Sequence, residues 1–411
     1  MSKAAQPGNQ TQSSPGVAVR YLAFAVVLLL GAPLWAQSQI VREGGAWVEE
    51  TIGTLQPGRN VRIVADVGSV EIETGGKAYR YIIRKRSFAW TQSEARRQFD
   101  MMRIVPGREG DYSQLRVAMS DAHHFGRLTA DIILQLPRDL AVVKVDTAGG
   151  NIVVQNTSAR LELITKGGGI LVHDVNNSVV ARTMGGSINI ENVGGDARAS
   201  NGGGPITIGN VRGRAEVTGS GSIININSVG SGTVDIDGGC ITVNHSSGDL
   251  MVKTTGGSVT LGNIEGKVTA ETGGGNIRLS SASGLVTATT ANGNIELWKL
   301  SQGARAQSNS GGITVEFLGG RGAFNDSFLR TTTGNVLVYL NKSVPATVHA
   351  SSEMTSSQFG IRSEFKELRI GSDSGGYGPK TMFAEGTLNG GGPQLKVLTT
   401  IGQIEFRRAK Q

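Results

Sequence analysis

The chain has 411 residues, including 60 glycines, 10 prolines and one cysteine, and its formal net charge is +7. Its glycine share is far below the roughly one third that collagen requires, and its 38% of hydrophobic residues is too high for a disordered chain. A lone cysteine, Cys240, cannot close an intramolecular disulfide. The composition therefore favours a glycine-punctuated repeat.

The N-terminus predicts export. Residues 1–20 are polar with two cations, Lys3 and Arg20, and no acidic residue, and an apolar run of 16 residues follows at 21–36. A positive region, a short apolar run and a small residue at Ala36 are typical of a secretory signal peptide, and the run is shorter than the roughly 20 residues of a membrane-spanning helix. We predict a signal peptide at 1–36, with an uncleaved anchor as the alternative. We expect the protein in the periplasm, on the cell surface or outside the cell, with no membrane span in the mature chain.

Residues 37–148 predict an N-terminal β-rich cap with one helix near 91–103. Thr91 and Glu94 fit a capping box, while Ala95, Phe99 and Met102 share one helical face. Such a cap would cover the first coil of the repeat, because an open sheet edge would otherwise recruit other chains.

A basic cluster lies in a strand-like segment of this cap and comprises Arg80, Arg84, Lys85 and Arg86. It lacks the aromatic interleaving or the motif that a nucleic-acid site would show. We interpret it as a solvated strand face, and we predict no nucleic-acid partner.

A repeat of 18 residues begins at 149. Its phrases, such as GGNI at 149–152 and GGSV at 256–259, place an apolar anchor at a fixed spacing, with a single step of 17 from Ile224 to Ile241. Self-similarity at this period indicates a solenoid. The ten anchors are Ile152, Ile170, Ile188, Ile206, Ile224, Ile241, Val259, Ile277, Ile295 and Ile313.

The interior is predicted at offsets 0, +2, +5, +9 and +11 from each anchor. Across the ten units, these positions are apolar except at five, which are Thr157, Thr233, Asp235, Ser246 and Gly322. Side chains alternate along a strand, so the odd offset +9 requires a turn, which we place at the glycines near offset +7. Each unit is then two short strands. A left-handed hexapeptide helix would need an aliphatic residue every six positions, which the repeat lacks. We therefore predict an all-β, single-stranded, right-handed parallel β-helix of ten ~18-residue coils over 149–320.

A polar column lies five residues before the anchors. We expect its side chains to hydrogen-bond from coil to coil near the glycine corner, and the alternative is an outward ice-binding threonine array. The column comprises Thr147, Thr165, Thr183, Asn201, Thr254, Thr272, Thr290 and Ser308.

After the tenth anchor the step lengthens to 23 residues, reaching Val336. The segment 321–411 is predicted to hold the last coils, an irregular loop within about 350–380 and a C-terminal cap.

These features together resemble the bacterial putative-adhesin family of β-strand repeats, an exported domain of unknown function. The resemblance rests on GSVEI at 68–72, LP at 136–137, DTAGGNI at 146–152, NGGGP at 389–393 and GQI at 402–404. It implies a right-handed parallel β-helix on the cell envelope or released from it. It supplies no catalytic residue.

The candidate chemical groups are few. Asp121, His123 and His124 form the densest candidate metal cluster, but adjacent histidines on a strand point to opposite faces. His173, His245 and His349 stand alone in the sequence, and Cys240 occupies a corner without a visible relay. We predict no metal site, no cofactor and no catalytic residue.

An enzymatic alternative remains, because polysaccharide lyases and hydrolases also use parallel β-helices. Asp235, Asp237 and Asp249 on neighbouring coils are the best acid group, although the template places Asp235 inward. The outward Trp298 could contact a ligand, but we expect Phe324 or Phe328 to cover it.

The sequence thus predicts a non-enzymatic, exported β-solenoid that is adhesin-like or interacts with the cell envelope through an unidentified protein or glycan partner. A carbohydrate-active β-helix enzyme and a periplasmic structural or sensing module are the alternatives.

Overall fold

The computed structural model describes residues 39–120, 128–319, 324–353, 360–373 and 381–409. Across these ranges the chain is nearly all β, with one α-helix and a 34-stranded sheet whose pairings are mostly parallel and repetitive, as in a solenoid. Within the same ranges, no helix has both the length and the hydropathy of a membrane span. Residues Ser38–Gln411 form one compact unit.

The N-terminal region contains helix α1, which begins where the capping box predicts it. Thr91 is the N-cap, its hydroxyl accepts from the Glu94 amide, and the helix buries Ala95 and Phe99. The elements of this region are β1 Ile40–Glu43, β2 Ala46–Thr54, β3 Asn60–Ala65, β4 Ser69–Thr74, β5 Arg80–Ser87, α1 Gln92–Asp100, β6 Met102–Glu109, β7 Tyr112–Met119, β8 Leu128–Leu136 and β9 Val142–Thr147.

The repeat region has two strands per coil. Its strands are β10 Ile152–Thr157, β11 Arg160–Thr165, β12 Ile170–Val175, β13 Val179–Thr183, β14 Ile188–Val193, β15 Ala197–Asn201, β16 Ile206–Ser220, β17 Ile224–Asp237, β18 Ile241–Ser246, β19 Leu250–Thr254, β20 Val259–Ile264, β21 Val268–Thr272, β22 Ile277–Ala282, β23 Val286–Asn292, β24 Ile295–Leu300, β25 Ala304–Ser310 and β26 Ile313–Phe317. In β16 and β17 the two strands of a coil run together.

The C-terminal region adds a further coil and an antiparallel element. Its strands are β27 Ser327–Thr333, β28 Val336–Leu340, β29 Ala346–Ser352, β30 Ile361–Ser363, β31 Arg369–Asp373, β32 Thr381–Leu388, β33 Gln394–Ile401 and β34 Ile404–Arg408. Strands β30 and β31 lie in the segment for which the sequence predicts a loop, and β31 pairs antiparallel with β32.

The ten anchors lie one above another, as predicted. Each pairs in parallel register with the next, as Ile188 does with Ile206 and Val259 with Ile277. Beyond the repeat, the column continues through Val70 at one end and Val336 at the other. Aliphatic side chains of this column and of the parallel column on the second strand are buried and form one continuous core.

The predicted interior offsets are wrong in the one coil that has 17 residues instead of 18. Val234 and Ile236 are buried in the coil that begins at Ile224, whereas Thr233 is half-buried and Asp235 exposed. The missing residue lies before Gly232, which pairs with Leu250, so every later side chain of that strand changes face. The assignment of Asp235 to the interior is therefore wrong.

The face switch within a coil also lies earlier than predicted. Asn156, Asp174 and Asn192, at offset +4, have φ values of 56°, 55° and 55°. Asparagine and aspartate tolerate this left-handed conformation better than most residues, and one such residue reverses the alternation before offset +5. The later turn near +7 bends the chain but does not supply the reversal.

The polar column forms the predicted coil-to-coil hydrogen bonds. Its hydroxyls donate to glycine carbonyls of the preceding coil, for example Thr165 to Gly150 at 2.9 Å and Thr290 to Gly275 at 2.9 Å. The column extends beyond the predicted set to Thr331 and Thr399. Because these side chains are buried, the outward ice-binding array is excluded for them.

Thr272 provides a direct test of this column. Its hydroxyl donates to the Gly257 carbonyl at 2.8 Å and accepts from the Gly275 amide at 3.1 Å. Thr272→Val should lower the free energy of unfolding by about 1–3 kcal/mol, because two buried polar partners lose their hydrogen bonds. Urea denaturation measures this, with the exposed Thr255→Val as the control. Equal midpoints for the two variants would show that the column does not stabilise the stack.

A glycine column runs beside these hydroxyls, two residues before the anchors. A Cβ at each position would lie 1.6 to 2.3 Å from the carbonyl oxygen of the residue stacked beneath it. Neighbouring corners therefore approach so closely that only a hydrogen atom fits. The column comprises Gly150, Gly168, Gly186, Gly204, Gly239, Gly257, Gly275, Gly293, Gly311, Gly334 and Gly402.

Three residues of the basic cluster, Arg84, Lys85 and Arg86, form ion pairs, and Lys85 is buried. Lys85 is 7% exposed, and its ammonium lies 3.0 Å from Glu49 Oε2. Arg84 pairs with Glu43 at 2.9 Å. Strand β5, which carries the cluster, lies between β2 and β8 in antiparallel pairings, so the interpretation as a solvated face is wrong for Lys85.

Candidate interaction surface

An amide ladder crosses the outside of five consecutive coils. Asn192 donates to Asp174 at 3.0 Å, Asn210 to Asn192 at 3.2 Å, Asn227 to Asn210 at 3.1 Å and Asn244 to Asn227 at 3.3 Å, each from Nδ2 to a side-chain oxygen. We call these five residues the amide ladder. Its spacing is set by the stacking of the coils, about 4.7–4.9 Å.

Each interior amide keeps free hydrogen-bonding capacity. An asparagine side chain has two N–H donors and an oxygen with two lone pairs. Asn192, Asn210 and Asn227 each use one donor and one lone pair within the amide ladder, and all three are exposed. Each of these three amides therefore presents a donor and an acceptor to solvent.

Two shallow grooves flank the ladder, with Asn192 and Asn210 lining both. One, of about 580 Å³, is lined by polar groups such as Thr207, Asn225 and Thr242. Gly209 also lines it, and the side chain of Glu191 lies close to the position that a Gly209 Cβ would take. The other groove, of about 550 Å³, adds the cations Arg138 and Arg212.

His173 is not isolated, contrary to the sequence interpretation. Its Nδ1 lies 2.8 Å from Asp174 Oδ2 and its Nε2 lies 3.3 Å from Glu191 Oε2, with all three side chains half-buried. The signal was present in the sequence, because His173 and Glu191 stand at the same offset in successive units. The structure brings this group to one end of the amide ladder.

The three aspartates of the enzymatic alternative are not in one cluster. Asp235 and Asp237 are exposed on β17, whereas Asp249 lies in the turn before β19. Asp249 Oδ1 accepts from the Lys267 amide at 2.8 Å, which caps the next turn. Asp235 pairs in register with Lys253, which follows Asp249 by four residues in the next coil. Four residues of strand span about 13 Å, so Asp235 and Asp249 are at least about that far apart. That separation exceeds the roughly 5–9.5 Å between paired glycosidase carboxyl groups.

One carboxyl group with a shifted pKa lies outside this set. Burial raises the pKa of Glu71, and the carboxylates of Glu73 and Asp131 raise it further. Shifted carboxyl groups are candidates for acid–base roles. Asp131, however, is paired with Arg86 at 2.8 Å. Glu71 itself lies on the exposed face of β4, so its raised pKa alone does not mark a catalytic site.

The remaining candidates are dispersed. His245 lies 3.4 Å from the Ser247 hydroxyl, His349 lies 3.5 Å from Glu385, and Cys240 is an exposed free thiol. Asp121, His123 and His124 lie outside the described residues. Where the structure describes the chain, no three His, Cys, Asp or Glu side chains are grouped to hold a metal ion.

Trp298 contacts a different aromatic residue from those expected. Its ring lies 5.9 Å from that of Tyr339. Phe324 instead packs edge-on against Phe317 at 5.2 Å, and Phe328 lies on another strand stack beside Arg305. The prediction that Phe324 or Phe328 covers Trp298 is wrong, because Phe324 packs against Phe317 in the core and Phe328 pairs with Arg305 on the second strands of the coils.

Comparisons with known proteins show little similarity. No protein-family model matches the chain, and no curated protein matches it. Among solved structures, a putative cell adhesion protein from Clostridium sporogenes ATCC 15579 is similar at 8% identity and a TM-score of 0.22, covering 88% of this chain and 100% of that one. A putative lipid binding protein from Parabacteroides distasonis ATCC 8503 is similar at 11% identity and a TM-score of 0.20, covering 88% and 97%. Similarity at this level carries no argument about function.

Proposed function

We propose that this protein is a non-enzymatic, exported β-solenoid that binds a partner in the cell envelope, in the manner of the adhesin-like family that its motifs resemble. We further propose that the coils wind as a right-handed parallel β-helix. The observation that carries the proposal is the amide ladder, a row of exposed asparagines with unused donors and acceptors at coil spacing.

The ladder suits a polymer with repeated hydroxyl groups. A sugar hydroxyl donates and accepts hydrogen bonds, as a ladder amide does, and one coil rise is comparable to the length of one sugar residue in an extended glycan. Several weak contacts in register add up along a chain, whereas one contact would be exchanged for water. The proposed ligand class is therefore an envelope polysaccharide.

The absence of catalysis remains part of this proposal. For the pair Asp235 and Asp249, their separation and the commitment of Asp249 to a turn support it. Turnover of a glycan by the purified protein, abolished by Asp237→Ala or Asp249→Ala, would contradict it.

The test is binding of the purified protein to an array of acidic and neutral envelope glycans. For a glycan that binds, Asn210→Ala should weaken binding about tenfold, because it removes contacts of its own and breaks the ladder on both sides. Titration calorimetry with that glycan measures the change. Asn292→Ala, an exposed asparagine on another strand, is the matched control and should bind as the wild type does. Equal loss in both variants, or no glycan bound by the wild type, would contradict the proposal.

A further inference from the structure

Two aromatic side chains project into solvent just before helix α1. Trp90 is 86% exposed and Phe88 is 58% exposed, while Ala89 between them is 5% exposed. Among the described residues only one other aromatic, Phe383 at 39%, has comparable apolar exposure. Exposing two large aromatic rings two residues apart has a cost in water, so such a pair points to an apolar partner.

The backbone holds this loop in a fixed position. The buried Ser87 hydroxyl donates to Gln98 Oε1 at 2.6 Å and accepts from the Ala89 amide at 3.1 Å. Thr91 then caps the helix. The loop is therefore pinned at Ser87, Ala89 and Thr91, which directs Phe88 and Trp90 outward together.

The chain enters the fold beside this loop. Gln92 in the first turn of α1 donates to the Ile40 carbonyl at 3.4 Å. In the sequence, the apolar run 21–36 ends four residues before Ile40, and four residues span at most about 14 Å. While a bilayer holds that run, it therefore keeps this end of the fold close to the membrane surface. Arg42, Arg96 and Arg97 are exposed in the same part of the chain and can contact lipid phosphates.

We propose that the Phe88–Trp90 loop is a membrane-interface contact, with both rings inserted among the headgroups of the bilayer across which the chain is exported. The inference rests on the export proposed above but not on the glycan ligand. Tryptophan favours the interfacial region, where an apolar ring and a polar N–H are both accommodated. The contact would orient the solenoid on the membrane and leave the amide ladder free for its partner.

The test uses residues 37–411, which contain the compact unit Ser38–Gln411, with vesicles of phosphatidylcholine alone or mixed with phosphatidylglycerol. Cosedimentation should show binding that falls about tenfold or more in Trp90→Ala and in Phe88→Ala, because each removes a large apolar side chain from the interface. Met251→Ala, an exposed apolar residue in the repeat, is the matched control and should bind as the wild type does. Unchanged melting temperatures would show that the variants fold.

Three results would overturn the proposal. The first is wild-type protein found only in the supernatant with both vesicle types. The second is binding that persists in both aromatic variants and is lost in Arg96→Ala/Arg97→Ala, which would indicate a purely electrostatic contact. The third is a dimer, seen by sedimentation velocity, that Trp90→Ala dissolves without changing vesicle binding, which would assign the loop to self-association. Glycan binding by Trp90→Ala reports on the proposed function separately.

Discussion

Gly257→Val is expected to destabilise the protein by more than about 4 kcal/mol, or to prevent folding. A Cβ at Gly257 would lie 1.6 Å from the Gly239 carbonyl oxygen and 2.2 Å from its carbon. These atoms belong to the backbone, so no side chain can move aside. The corner must open, which also breaks the hydrogen bond from Thr272 to the Gly257 carbonyl.

The neighbouring glycine is a matched control for this prediction. A Cβ at Gly256 meets nothing within 4 Å, and its φ lies outside the left-handed region. Gly256→Val should change stability by less than about 1 kcal/mol. Thermal and urea denaturation of both variants measure the difference. Similar stabilities would show that the corners are not stacked as closely as described.

Lys85→Ala is expected to destabilise the fold by about 3–5 kcal/mol. It removes a cationic partner 3.0 Å from Glu49 and the donor to the Phe99 carbonyl at the end of α1, in a site where the two charged side chains are 9% and 12% exposed. Glu49→Leu/Lys85→Met should restore most of the stability, because neither side chain is then charged. Urea denaturation measures both variants.

The adjacent Arg86→Ala is the matched control for Lys85→Ala. Arg86 pairs with Asp131 at 2.8 Å, but the two side chains are 40% and 35% exposed. Solvent weakens such a pair, so the expected loss is at most about 1 kcal/mol. A larger loss from Arg86→Ala than from Lys85→Ala would contradict the assignment of the buried pair.

The local pattern was sufficient to predict the repeat. The anchor residues recur at a fixed step because every coil must supply a side chain to the same core, so a one-residue error would turn an apolar group outward. The polar column was predictable for the same reason, since each hydroxyl serves the same corner. The start of helix α1 was predictable from its cap at Thr91, but the helix ends at Asp100 and Met102, which the sequence places on the helical face, lies in β6.

The surface was less predictable, because outward side chains are not constrained by a shared core. The amide ladder shifts from offset +4 at Asn192 to offset +3 at Asn227, so a fixed-offset search does not connect them. Asp174 follows His173 directly in the chain, but Glu191 reaches the imidazole only when successive coils stack.

By itself the sequence determined the period, the apolar columns and the polar corner, because each arises where a residue stacks on the equivalent residue of the next coil. Only the tertiary structure decided where in a coil the alternation reverses, where the missing residue of the Ile224 coil lies, that Lys85 is buried and that Trp90 is exposed. The first two follow from the register of stacked coils. The last two depend on segments far apart in the chain, such as β2 with β5 and β1 with α1, whose pairing has no period for the sequence to reveal.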